Sequence, residues 1–442
     1  MPTLRPFRAL RYDPAAVGDV ADVLSPPYDV ISPELQATLA ARHPRNSVLL
    51  DLPPEAPGDA PGARYRRAAE AFAAWRADGT LRADPEPAIY VYEQTYVLPD
   101  SREERRQRGF FAQLRLERYG PPGGIFPHER TLGGPLDDRY ALLQATGANF
   151  SAMVGLYRST DGQSDPILAA VAAGVPLTDV RDDDGVRHRL WLVPTGEPGA
   201  GGSADLLIGL AGAGPITIAD GHHRYETALR YHAGLSARRE GGDDGRSAWM
   251  LALLFDVAAN EMTVLPTHRV VRGAPAGEAL LSAAAPFAEV ERLGSEAALS
   301  AAFPATSARS AEAGAGARIG VWSGGGAAVL RPRPRALDGY IAPGASAQLC
   351  DLGVSQLEGL LGAVFGLGPE DLARGERVTY VRDAAAACSL VDRGEGDTAF
   401  MLEPIAAATV ARIADGGELM PQKSTYFYPK PATGLLFSAA GS

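Results

Sequence analysis

Apolar and polar positions recur along this chain with two periods, and the two periods lay out its elements. Residues 89–97 alternate every second position and read as a strand, with residues 109–116 returning as its partner across a charged turn. Tyr65, Ala69, Phe72 and Trp75 recur at helical spacing, which predicts an amphipathic helix over 64–76. Ser32-Pro33-Glu34 reads as a cap, a first-turn proline and an acidic first turn, opening a helix to about residue 41. Strands are expected at 6–12, 150–157 and 216–219. Hairpins are expected from 175–180 with 186–193, and from 249–255 with 262–265 around Ala258-Ala259-Asn260-Glu261.

Beyond residue 275 the pattern changes. Alanine-rich helices are expected at 278–285 and 296–302, a longer helix at 348–365 and a short one at 409–414. Strands are expected at 317–322, 327–330, 378–381 and 398–402. The expected class is α+β. The Gly/Ala/Pro stretch at 273–277 marks the expected division, giving an N-terminal domain over 1–275 and a C-terminal α/β domain over 276–442.

Composition excludes several classes. A chain of 442 residues with 46% hydrophobic and 21% charged residues is ordinary globular protein. A net charge of −11 argues against a nucleic-acid partner or an anionic membrane surface. No run is apolar enough for a membrane span or a secretory leader. Two cysteines, Cys350 and Cys388, outside any ligand pattern, fit a reducing, cytoplasmic setting. Of 42 basic residues only Lys423 and Lys430 are lysine, and both fall in one short segment.

Chemistry concentrates at Asp220-Gly221-His222-His223-Arg224. A strand ends, turns at Asp-Gly, and enters a helix whose first turn carries two histidines and an arginine. Free N–H groups and the positive end of the helix dipole collect there, so the corner suits an anion, phosphate above all. The plainer alternative is that Asp220 only caps the helix. However, two histidines and an arginine together are costly to bury unpaired.

Two further stretches carry reactive groups. Pro127-His128-Glu129 sets a carboxylate on a rigid loop before a helix; a surface pair with Arg130 is the competing explanation. Near the C-terminus, Lys423-Ser424-Thr425 lies in a proline-bounded loop able to hold a phosphate or a carboxylate, or simply to pack on the surface. His268 and Arg269 either reach the same pocket or close the domain. Asp182-Asp183-Asp184-Gly185 reads as a solvated hairpin tip in preference to a metal site. Gly324-Gly325-Gly326 is no dinucleotide fingerprint, and no phosphate loop of the G-x-x-x-x-G-K type exists.

The three stretches, in their order along the chain (127–129, 220–224, 423–425), are similar to those of free-serine kinases in the ParB/sulfiredoxin-like superfamily. Asp220 to Arg224 resembles the signature corner, Pro127-His128-Glu129 the loop bearing the catalytic base, and Lys423-Ser424-Thr425 the substrate-side segment. This chain departs from them in having Tyr426-Phe427 after that segment and a long insertion between the first two stretches. Over nearly its full length it also resembles the domain-of-unknown-function family 1015, through Ser25-Pro26-Pro27-Tyr28-Asp29-Val30-Ile31, the Asp220 corner and Leu265-Pro266-Thr267-His268-Arg269. The resemblance implies a ParB/sulfiredoxin-like catalytic domain elaborated with extra hairpins. It implies phosphoryl transfer from ADP or ATP to a small hydroxyl metabolite, L-serine favoured. Glu129 would be the base and Asp220 catalytic as the Mg2+ holder. Gly221, His222, His223 and Arg224 would take the nucleotide, and His128, Lys423, Ser424 and Thr425 the substrate. The alternative from the same relatives is a nucleotide-binding or nucleotide-hydrolysing regulatory protein.

Overall fold

The computed structural model describes residues 1–131, 133–196, 202–238, 245–260, 262–273, 275–306 and 316–439. Glu261 of the expected second hairpin and Ala274 of the expected division lie outside the described residues.

Helices and several sheets form a mixed α/β architecture. The largest sheet runs in the order Ile125–Pro127, Ile216–Asp220, Met153–Tyr157, Trp249–Asp256, Glu104–Arg115, Ala88–Val97, Arg187–Pro194 and Thr178–Arg181, with Leu4–Arg5 added to Glu104–Arg115. Its central strands are buried on both faces, and the period-two pattern divides their side chains. Tyr90, Tyr92, Leu251 and Leu253 join one apolar cluster, while Ile89, Val91, Ala252 and Leu254 join another on the opposite face. Helices Ser164–Ala172 and Ser203–Gly212 supply Leu168, Ala204 and Leu207 to the second face. Burying each such leucine contributes about 1.5–3 kcal/mol.

A second, six-stranded sheet runs Ala288–Leu293, Gly326–Pro332, Ile319–Ser323, Thr398–Met401, His268–Val271 and Val378–Val381. Helix Gly353–Phe365 contributes Leu357, Leu360 and Leu361 to the cluster that also holds Tyr90 and Leu251, so one continuous core joins the two sheets. Strand His268–Val271 belongs to this second sheet although it precedes residue 275.

The expected hairpin of 249–255 with 262–265 does not form. Trp249–Asp256 pairs with Glu104–Arg115 and with Met153–Tyr157. Thr263–Leu265 pairs instead with Tyr426–Tyr428, far along the chain. Asp256 explains the break. Its buried carboxylate accepts from Ser159 N, from the hydroxyls of Ser159 and Ser164, and from Ala258 N, which bends the chain away from the sheet. The expected single helix over 348–365 is two, Ala347–Cys350 and Gly353–Phe365, separated at Asp351-Leu352.

Two pairings decide where the chemistry lies. Ile216–Asp220 and Ile125–Pro127 are parallel neighbours, with Ile218 opposite Pro127. The residues that follow each strand, Gly221-His222 and His128-Glu129, therefore emerge side by side at the same sheet edge. The carboxyl ends of parallel strands are the usual place for a ligand site. The Tyr426–Tyr428 pairing, with a bridge of Thr433 to Ser25, then lays the C-terminal segment across that edge.

Candidate functional site

The Asp220 corner depends on its glycine. Gly221 has φ +86°, a left-handed conformation, and a Cβ there would lie 2.7 Å from Arg224 Nε. The register shift between Ile218 and Asp220 marks a bulge that re-aims the carboxylate. Helix His222–Arg238 follows, with Tyr225 N bonded to Gly221 O at 2.9 Å.

Arg224 turns back from the helix. One nitrogen donates to Asp220 Oδ2 and another to Ala152 O at 2.5 Å. The other carboxylate oxygen, Oδ1, accepts from Lys430 Nζ. Lys430 also lies 3.9 Å from Asp29 Oδ2 and 5.0 Å from the Tyr426 ring centre. Burial works against ionisation of Asp220, but Lys430 and then Arg224 outweigh it and hold the carboxyl well below the usual carboxylate range. Burial likewise works against the Lys430 ammonium, and Asp220 and Asp29 reverse it, raising its pKa.

Beside this ion pair sits a histidine pair, rings 4.6 Å apart and edge to face. His128 Nδ1 is 2.6 Å from Ile218 O, so Nδ1 donates; in the neutral ring Nε2 then accepts from the Thr425 hydroxyl at 2.8 Å. His222 Nε2 accepts the backbone N–H of His128 at 3.3 Å, which places the hydrogen of its neutral ring on Nδ1. Burial, then the neighbouring His128, push the His222 pKa well below the ordinary value, so that ring is neutral. Its Nδ1 faces Glu129 Oε1 at 3.9 Å. Glu129 Oε2 accepts from Lys423 N at 3.3 Å. Lys423 holds a left-handed backbone, φ 56°, and its carbonyl accepts from Arg269 Nη2 at 3.1 Å.

The three stretches are thus brought together, but not every side chain faces the cleft. Arg224 and His222 are committed inward, to Asp220 and to the backbone of His128. Ser424 donates its hydroxyl to Pro421 O, and Thr425 faces His128. His223 is half-buried, its pKa lowered chiefly by burial. His268 leaves the site, its Nδ1 accepting from Leu402 N at 3.2 Å, whereas Arg269 clamps the loop that carries Lys423.

Asp220 does not fit direct ligation of Mg2+. Each of its oxygens already accepts from a cationic side chain, so a metal would have to displace Lys430 or Arg224. Among the described residues no group of three His, Cys, Asp or Glu side chains is placed to hold a metal ion. Lys430 and Asp29 are the site residues that motif reading passes over. Their signals were in view: both lysines of the chain fall in one segment, and Asp29 sits in the proline-rigid Ser25-to-Ile31 loop.

The chain belongs to a family described only as a protein of unknown function, DUF1015, whose pattern matches residues 4–349. No curated protein matches it. Among solved structures it is similar to a free serine kinase in complex with AMP, at 13% identity and a TM-score of 0.34 over 69% of this chain and 83% of that one. It is also similar to a conserved hypothetical protein from Pyrococcus furiosus, at 13% identity and 0.33 over 70% and 90%. A third is SbnI with C-terminal truncation from Staphylococcus aureus, at 10% identity and 0.33 over 72% and 86%. TM-scores at this level do not define a shared fold. No helix among the described residues is long and apolar enough to cross a membrane.

Proposed function

We propose that this protein is a kinase-like phosphotransferase that moves the terminal phosphoryl group of ADP or ATP to the hydroxyl of a small metabolite, free L-serine first. The observation that carries this reading is the seating of Glu129. Its carboxylate is held by Lys423 N–H on one side and faced by His222 Nδ1 on the other, at the mouth of a helix N-terminus.

In this reading Glu129 takes the proton of the acceptor hydroxyl. The oxygen attacks the terminal phosphorus in line, a new P–O bond forms, and the bridging P–O bond breaks to release AMP or ADP. Such transfer needs positioning and charge neutralisation more than covalent help. His223 and the first N–H groups of helix His222–Arg238 receive the phosphates, with the Lys423 ammonium opposite. Lys430 and Arg224 fix Asp220 as the floor of the site. Magnesium would be carried on the nucleotide, because Mg2+ keeps several waters and is held mainly by substrate phosphates with few protein ligands. The ParB/sulfiredoxin-like assignment of the catalytic domain, and its extent over 1–275, belong to the same proposal.

The test is direct. The protein is incubated with serine, Mg2+ and either ADP or ATP, and phosphoserine is sought by mass spectrometry, with Glu129→Gln as control. Phosphoserine that persists in Glu129→Gln removes the proposed base. Nucleotide turnover without any phosphorylated acceptor replaces the reading with that of a nucleotide-hydrolysing regulator.

A further inference from the structure

Behind the loop that carries Lys423 lies a cavity of about 230 Å3, between helix Gly353–Phe365 and residues 419–422. Leu349, Leu357, Leu361 and Met420 give it hydrocarbon walls, yet four charged side chains also line it: Arg130, Arg269, Glu358 and, at the exposed rim, Glu370. Among the described residues none of the four has an ion-pair partner. Arg269 places three hydrogen bonds, all on carbonyls, those of Thr267, Gln422 and Lys423, and its guanidinium with five N–H donors keeps others for a ligand. Burial lowers its pKa to about 10, as expected for a buried guanidinium lacking a carboxylate. Burial raises the Glu358 pKa against the pull of Arg269 and Arg130. In the same wall Ser355 is fully buried and its hydroxyl has no hydrogen-bond partner.

Arg269 is buried and Glu358 half-buried, so their unpaired charge, like the unmade hydrogen bond of Ser355, is costly in an apolar recess, while Arg130 stands at the exposed mouth. Charges of both signs, unpaired around one small apolar space, match a ligand that carries both signs on a hydrocarbon body. We propose that this cavity binds a free α-amino acid with an apolar side chain, its ammonium on Glu358 and its carboxylate on Arg130 and Arg269. Placement separates this ligand from the phosphoryl acceptor. Lys423 stands between the two, its carbonyl on Arg269 and its N–H on Glu129, so an occupant drawing on Arg269 is one residue away from the candidate base.

Isothermal titration of the full chain with leucine, without nucleotide, tests this. Leucine should bind one to one, at least about tenfold more tightly than leucine methyl ester, which lacks the carboxylate, 4-methylpentanoate, which lacks the amine, and serine. Glu358→Gln and Arg130→Gln should each weaken leucine about tenfold with an unchanged circular-dichroism spectrum, and Glu129→Gln should bind it as the parent does. Absence of leucine binding at millimolar concentration, a preference for serine, or affinity indifferent to both wall substitutions would overturn the proposal. Binding is read without turnover, so its failure and a failure of phosphoryl transfer are distinguishable.

Discussion

Lys430 donates its ammonium to Asp220 across 210 positions of sequence, and the corner that begins the long helix is neutralised by the tail of the chain. Both side chains are nearly enclosed, at 9% and 13% exposure. Without Lys430, Arg224 alone is left to offset the buried Asp220 and the nearby Asp29. Lys430→Ala is therefore expected to lower stability by about 3–5 kcal/mol, read by urea denaturation. A loss below about 1 kcal/mol would show the pair to be solvated.

Gly221 tests the geometry of the same corner. Its left-handed backbone and the closeness of Arg224 Nε leave no room for a methyl group. Gly221→Ala should cost more than about 1 kcal/mol in the same denaturation experiment, since alanine is strained at positive φ. It should also displace Arg224 from Asp220, which a crystal structure of the variant would register.

Glu129→Gln keeps the hydrogen bond from Lys423 N and removes the base. Phosphotransfer should fall by about 10²–10⁴-fold, the usual contribution of a general base, while nucleotide affinity stays within a few fold. Initial rates and fluorescent-nucleotide titration separate the two effects. A parallel collapse of both would assign Glu129 to structure.

Acid should weaken the fold through its buried histidines. Burial lowers His268 to about 4, and burial also holds His222 and His223 below their ordinary value. A histidine whose folded pKa lies below its unfolded one takes up its proton first in the unfolded chain. Its stabilisation is complete above about pH 6.5 and is lost as pH falls toward 4, at up to about 1.4 kcal/mol per pH unit for each such histidine. Asp220, held low, titrates below that window. His268→Gln should flatten the stability profile between pH 6.5 and pH 4. An unchanged slope would mean that His268 is protonated in the folded state.

Much of this site was legible as residue type, and much less as direction. Asp220, His222, Glu129 and Lys423 stood out because charged or titratable groups clustered at element ends. What pattern cannot supply is which way Arg224 points, since a helix start offers it both the cleft and the Asp220 carboxylate. Nor does local spacing reveal that Lys430 meets Asp220, because that contact needs strand Tyr426–Tyr428 to pair with Thr263–Leu265. The same non-local pairing defeated the expected hairpin after Trp249–Asp256, where the turn obeys the buried Asp256 carboxylate and not the nearest strand. Strand Ala88–Val97 and its partner were readable because their pairing is local, although the partner begins at Glu104, within the segment expected as a charged turn.

The placement of Lys430 also orders events during synthesis. The ribosome delivers Asp29, Glu129 and Asp220 well before Lys430, while earlier segments of a chain begin to fold as they emerge. Until the tail strand arrives, Asp220 has only Arg224 for company, and closing the corner would strand an acidic pocket of Asp220 and Asp29 without its second cation. The nascent chain therefore has reason to keep this edge open, and the cleft closes only after nearly all of the described chain has been made.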